Sequence, residues 1–171
     1  RIRQTVREGR DRMRALMLSR LPEDLRGARV LDAGCGTGMM TEELAKRGAT
    51  VMAADISPKL VQIAHDRLAP ALRPQVSFHT GDMTDPALGE FDAVLAMDSL
   101  IYYSAEDIGR TLKALGSRTG KVVFTVAPRT TLLMAMWLRP LRPLVANHQV
   151  GREAQDERRP LTLLRRHEHL T

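Results

Sequence analysis

Two aspartates and three glycines near the start of the chain have the types and spacing to hold a small charged ligand. Asp32 precedes Gly34, Gly36 and Gly38, and Asp55 stands 19 residues after Gly36. In Val30-Leu31-Asp32-Ala33-Gly34-Cys35-Gly36-Thr37-Gly38 a short apolar run stops at glycines and a helical pattern follows at once. That reads as a strand, a tight turn and a helix start. Gly34 and Gly36 lack the Cβ atoms that would keep a ligand off the backbone. Thr37 and the residues after it are expected to open a helix whose free N–H groups point into the same space. The spacing is G-x-G-x-G, with Met39 and Met40 following Gly38, and not the G-x-G-x-x-G that seats a pyrophosphate on a helix N-terminus. A carboxylate at Asp32 repels a pyrophosphate but accepts from an ammonium. Asp55 ends a second apolar run, where a carboxylate can accept from both hydroxyls of a nucleoside ribose. Ser57 and Pro58 supply the cap and first-turn proline of the next helix, which leaves Asp55 free for that role. Ile56 then lies beside the base.

A second group of polar residues follows the fourth apolar run, in Ala96-Met97-Asp98-Ser99-Leu100-Ile101-Tyr102-Tyr103. Open α/β sheets bind ligands outside the carboxyl ends of their strands. Asp98, Ser99, Tyr102 and Tyr103 are therefore expected at the mouth of the site, with the tyrosines as walls rather than catalysts. Gly81-Asp82 taken alone is a common turn pair. Cys35 has no histidine with a reason to be near it and is read as packing, not as a nucleophile. His167-Glu168-His169 puts alternate residues on diverging faces of a helix, so no metal site is expected.

These residues need a scaffold, and the rest of the sequence supplies one. Residues 1–20 read as an amphipathic helix with Ile2, Val6, Met13, Leu16 and Met17 near one stripe. It is expected to cover one end of a sheet or to form part of a lid. Strands are expected at 28–32, 50–54, 76–80, 91–97 and 120–127. Helices are expected at 37–47, with Gly48 just past its end, at 58–68, and after a Ser104 capping box as far as Gly116. Strands alternating with helices through short links mean a Rossmann-like, doubly wound parallel α/β sheet. The expected order is 3-2-1-4-5, reversing between strands 1 and 4, beside the glycine turn. Residues 1–27 form the N-terminal helix and its link, and 28–138 the core, closing with a Met-rich helix at 131–138. Residues 139–171 are expected to form an irregular or disordered tail.

A chain of 171 residues suits one domain, and a single cysteine excludes an internal disulfide framework and favours a reducing compartment. No run of 18 apolar residues exists to span a membrane. The net charge of +6 is uneven: residues 1–29 carry nine Arg against four acids, and 30–127 nine Lys or Arg against twelve. The basic excess thus flanks the core, as solvated helix faces or as a surface for an anionic substrate or membrane. Aromatics are only 4% and no basic stripe is interleaved with them, so nucleic acid is not expected as a partner.

The glycine turn resembles motif I of the class I S-adenosylmethionine (SAM) methyltransferases. That resemblance implies SAM as cofactor, with Asp32, Gly34, Gly36 and Gly38 at its amino-acid end and Asp55 and Ile56 at its ribose and adenine. It also implies that Asp82 accepts from the adenine amino group, that Met83 packs on the ring, and that Met97 completes the cofactor wall. Further pieces narrow the resemblance. Ile2 to Asp11, Ala54-Asp55-Ile56-Ser57-Pro58, Gly81-Asp82-Met83, Met97-Asp98-Ser99-Leu100-Ile101 and Phe124-Thr125-Val126-Ala127-Pro128-Arg129-Thr130 together resemble the magnesium-protoporphyrin O-methyltransferases of photosynthetic bacteria, over about residues 1–138. The resemblance implies methyl transfer to a propionate of Mg-protoporphyrin IX on the route to bacteriochlorophyll. Asp98, Ser99, Tyr102, Tyr103 and Arg129 would then face the substrate. It brings the magnesium chelatase large subunit and a peripheral membrane contact in as partners, and a cytoplasmic location at the photosynthetic membrane. The family's further N-terminal segment and its C-terminal strands are not recognised, so the chain is expected to be truncated at both ends. Two other readings stand beside this one: a methyltransferase for another small molecule, and a non-catalytic module of the same fold that binds porphyrin or a protein partner.

Overall fold

The computed structural model describes residues 2–101 and 103–126. Tyr102, Arg129, the expected helix at 131–138 and the expected tail at 139–171 lie outside the described residues. Helix α1 is Ile2–Leu18, strand β1 Arg29–Ala33, helix α2 Met39–Lys46, strand β2 Thr50–Asp55 and helix α3 Pro58–Arg67. Strand β3 is Val76–Thr80, strand β4 Ala93–Ala96, helix α4 Ala105–Gly116 and strand β5 Val122–Phe124. The strands form one parallel sheet in the expected order β3-β2-β1-β4-β5.

Side chains alternate across a strand, and here both faces are covered. Val30, Val51 and Leu95 pack with Met40 and Leu44 of α2 on one face. Leu31, Val94 and Ala96 pack with Leu100, Leu115 and Met83 on the other. Burial on both faces explains why the strands read as continuous apolar runs rather than alternating ones. The expected caps form. Ser57 accepts from the Leu60 N–H ahead of Pro58, Ser104 accepts from the Asp107 N–H, and Gly48 follows α2 with φ of 89°.

Three local expectations are corrected. Helix α2 starts at Met39 rather than Thr37, because Gly36 and Gly38 both adopt left-handed backbone, with φ of 54° and 78°. Strand β4 is shorter than 91–97. Asp92 turns its carboxylate onto the Arg29 N–H at 2.7 Å, and Asp98 adopts a left-handed φ of 57° just beyond the other end. The apolar stripe of α1 is buried only toward its end: Val6 and Leu16 are more than half exposed, and among the described side chains of α1 only Met17 and Leu18 reach the core. Arg10 and Arg14 of α1 line the cavity at the carboxyl ends of the strands. The last turn of α1 and the following Leu21 and Leu25 supply the apolar contact. Arg47 fixes that junction by donating to the carbonyls of Leu18 and Pro22.

Candidate functional site

A cavity of roughly 630 Å³ opens where the carboxyl ends of β1, β2 and β4 meet, within the size range of small-molecule and cofactor sites. Its floor is the glycine turn. The turn's amides are mostly spent inside the protein. Gly34 and Cys35 donate to the Ala54 carbonyl at 2.8 and 2.9 Å, Gly36 donates to Asp55 Oδ2 at 2.9 Å, and Gly38 donates to the Cys35 carbonyl. These four bonds lie ahead of the helix start, and of the residues from Thr37 onward Thr41 turns its N–H onto Asp32. Asp55 is likewise not free, since its Oδ1 accepts from the Ser57 N–H at 2.9 Å. Each carboxylate oxygen keeps acceptor capacity beyond one bond, and Asp55 lines the cavity. The two backbone donors thus aim the carboxylate rather than use it up.

The three glycines do three different jobs. A Cβ on Gly34 would stand 2.4 Å from the Ser99 Cβ, so this glycine permits close packing of the turn against the residues after β4. A Cβ on Gly36 would meet no atom within 4 Å. Gly36 lines the cavity, so a side chain there would take up ligand space. Gly38 does not line the cavity. Its Cβ position lies 2.9 Å from the Ala64 Cβ, and it brings α2 close to α3.

Asp32 is almost fully buried beneath the turn. Thr41, in the first turn of α2, donates its hydroxyl to Asp32 Oδ2 at 2.5 Å and its backbone N–H to the same carboxylate. Gly38 has no side chain to cap α2, so Asp32 caps it from the neighbouring strand. Burial pushes the Asp32 carboxyl up to about 6. The Thr41 bonds and the Arg14 charge oppose that rise, and the Asp55 carboxylate adds to it. Burial, then the nearby Asp32 and Asp55 carboxylates, push the Cys35 thiol far above its usual range. The thiol is held neutral, consistent with packing.

The remaining expected residues ring this floor. Ile56 is 82% exposed at the rim, whereas Met83 is buried. Asp82 accepts from the Thr84 N–H and hydroxyl, each at 2.7 Å. Those bonds hold its carboxyl below the usual range, so the turn geometry and a place in the cavity wall coexist. Met97, Asp98, Ser99 and Tyr103 line the side under β4. Asp98 sits in left-handed backbone, with its N–H donating to Thr125 Oγ1 at 2.8 Å and its Oδ2 3.4 Å from Arg10 Nε. Sequence reasoning missed four participants: Arg10, Arg14, Thr41 and Thr125. Only the two arginines carried a usable signal, because a spacing of four puts them on one face of α1. Among the described residues no group of three or more His, Cys, Asp or Glu could hold a metal ion.

Known proteins resemble this arrangement. The chain is 70% identical over 137 residues to the magnesium-protoporphyrin O-methyltransferase of Rhodobacter capsulatus, covering 80% of this chain and 61% of that protein. It is 33% identical over 135 residues to the chloroplastic magnesium protoporphyrin IX methyltransferase of Arabidopsis thaliana, covering 76% and 43%. The chain thus spans less than two thirds of the length of either relative. Among solved structures, the magnesium protoporphyrin IX methyltransferase of Synechocystis PCC 6803 with bound SAM matches with a TM-score of 0.63 and 31% identity, covering 75% of this chain and 62% of that one. A family described as "Methyltransferase domain" matches residues 30–120, and with the parallel sheet, the glycine turn and the carboxylates beneath it this chain belongs to that family.

Proposed function

We propose that the cavity binds SAM and that the chain transfers its methyl group to a propionate carboxylate of Mg-protoporphyrin IX. The observation that carries the cofactor reading is the chemistry of the floor. The amides of Gly34, Cys35 and Gly36 are taken up by Ala54 and Asp55, and the carboxylates of Asp32 and Asp55 line the space. Such a floor disfavours a phosphate and suits a nucleoside bearing an ammonium. The residues fit SAM at each part: Asp32 for the ammonium, Asp55 for the ribose hydroxyls, the open space beside Gly36 for close approach, and Ile56, Asp82 and Met83 around the adenine. When bound, SAM supplies an electrophilic methyl group on a positively charged sulfur.

The protein's own contribution is then binding and orientation. A propionic acid, with a pKa near 4–5, is already ionised at neutral pH and needs no general base. Asp98, fixed by Thr125 and Arg10, serves as a positioning group at the mouth rather than a proton acceptor. Holding the propionate oxygen in line with the methyl–sulfur bond supplies proximity and orientation, and a step in which two opposite charges are neutralised is favoured where water is kept out. The relatives' names support the acceptor, and the product would be the monomethyl ester on the route to bacteriochlorophyll. A hydroxyl acceptor is the second reading, and its need for a base separates it.

The test combines calorimetry with SAM, an absorbance titration with Mg-protoporphyrin IX, and mass analysis after incubation with both. Binding of each ligand and appearance of the monomethyl ester are expected. SAM binding without any spectral change in the porphyrin would reject the acceptor, and absence of SAM binding would reject the cofactor.

A further inference from the structure

Arg14 has a buried donor that the fold does not use. Its side chain is 14% exposed, its Nη1 donates to Asp11 at 2.7 Å, and its Nε is buried with no acceptor among the described residues. Leaving a buried guanidinium N–H without a partner is costly. The residue lines the same cavity as Asp32, and its charge acts on the Asp32 carboxyl. The Ser99 hydroxyl in the same cavity is also buried, with no partner among the described residues. Arg10, one helical turn earlier, differs in that its Nε already faces Asp98 at 3.4 Å.

We propose that Arg14 and Asp32 form a zwitterion clamp. Asp32 accepts from the α-ammonium of the ligand's amino-acid end, and the Arg14 guanidinium donates to its α-carboxylate. This rests on the reading of the cavity as a SAM site and adds a binding residue outside the glycine turn. An α-amino acid carries both charges on one carbon, so it needs an anion and a cation close together. The carboxylates of Asp32 and Asp55 alone satisfy only the ammonium and would repel the carboxylate. Arg14 removes that repulsion through a charge-assisted bond, and Ser99 adds a neutral donor beside it. Helix α1 thereby becomes part of the binding site and not only a cover.

Calorimetry with two ligands tests this. S-adenosylhomocysteine carries the whole amino acid, whereas 5′-methylthioadenosine keeps adenine and ribose and lacks it. Arg14→Gln is expected to weaken S-adenosylhomocysteine by about tenfold or more while changing 5′-methylthioadenosine by less than about twofold. Arg14→Lys, which keeps the charge, is expected to recover part of the loss. Equal losses on both ligands would mean a structural role, and no loss on S-adenosylhomocysteine would mean no contact; either overturns the clamp. Failure of the parent chain to bind S-adenosylhomocysteine is a different result, and it overturns the SAM reading together with the clamp.

Discussion

The floor of the cavity and its mouth are built in opposite ways. The floor is local. Asp32, the glycine turn, Thr41 and Asp55 fall within 24 residues of sequence, and backbone donors fix the carboxylates. The mouth is assembled from three distant segments: Arg10 on α1, Asp98 after β4 and Thr125 after β5. Its Arg10–Asp98 pair is 3.4 Å long, with side chains 64% and 37% exposed, and such pairs hold weakly. A rigid floor suits a ligand bound in one pose. A weakly latched mouth suits a larger second reactant that enters and leaves.

Substitutions should expose this contrast, and the largest effect is expected at the floor. Gly34→Ala meets a left-handed φ of 80° and a Cβ contact of 2.4 Å. Backbone strain of roughly 1–2 kcal/mol and overpacking of roughly 1–3 kcal/mol should together lower stability by about 2–5 kcal/mol. Gly36→Ala has the φ strain without the clash, so it should lose only about 1–2 kcal/mol of stability while blocking ligand. Urea unfolding of both variants checks the difference. Similar losses in the two would erase the distinction between a packing glycine and a ligand-facing one.

Next comes Asp55→Ala, which should weaken SAM by about 1–3 kcal/mol through loss of a charge-assisted bond to a polar ligand. Calorimetry reads this directly, and unchanged affinity would remove Asp55 from the site.

The buried Asp32 gives a pH signature. Its carboxyl titrates at about 6 in the fold against 3.8 unfolded, so the folded state binds the proton more tightly. Stability of the free protein should therefore fall as pH rises from about 4 to about 6, with the whole cost present above that. Affinity for an ammonium-bearing ligand should move the other way, dropping up to about tenfold per unit as pH falls below about 6, because only the carboxylate accepts from the ammonium. Asp32→Asn should remove the Asp32 part of both trends.

The smallest effect is expected at the mouth. Arg10→Ala should cost no more than about 1 kcal/mol of stability and leave S-adenosylhomocysteine affinity unchanged. With a carboxylate acceptor, kcat should also stay flat from about pH 6.5 to 8.5, since no catalytic proton transfer titrates there. A rise with pH that Asp98→Asn abolishes would point to a base and a hydroxyl acceptor.

The same contrast explains what was legible in the sequence. The strand order and most of the floor follow from periodicity, glycine spacing and cap residues, all of them local. The bond from Gly36 to Asp55 was not legible, because it depends on the turn folding back over β2. Nor was the capping of α2 by Asp32, which joins a strand to the helix after it. The facing of α1 was left open by the sequence, as a cover for the sheet's end or part of a lid, for a clear reason. An apolar stripe marks a buried face only where the neighbour is apolar, and the Arg10 and Arg14 side of α1 meets the cavity that Asp32 and Asp98 line. The positive φ of Asp98 left no trace in composition, since Asp is tolerated there but not required.

The floor of the cavity should select an ammonium-bearing nucleoside over a phosphate-bearing one. Calorimetry at pH 7.5 with SAM, S-adenosylhomocysteine, NAD and ATP measures that selection in one experiment. One SAM or S-adenosylhomocysteine per chain is expected, with no measurable heat from NAD or ATP. Binding of either phosphate-bearing nucleotide as tightly as SAM would contradict it.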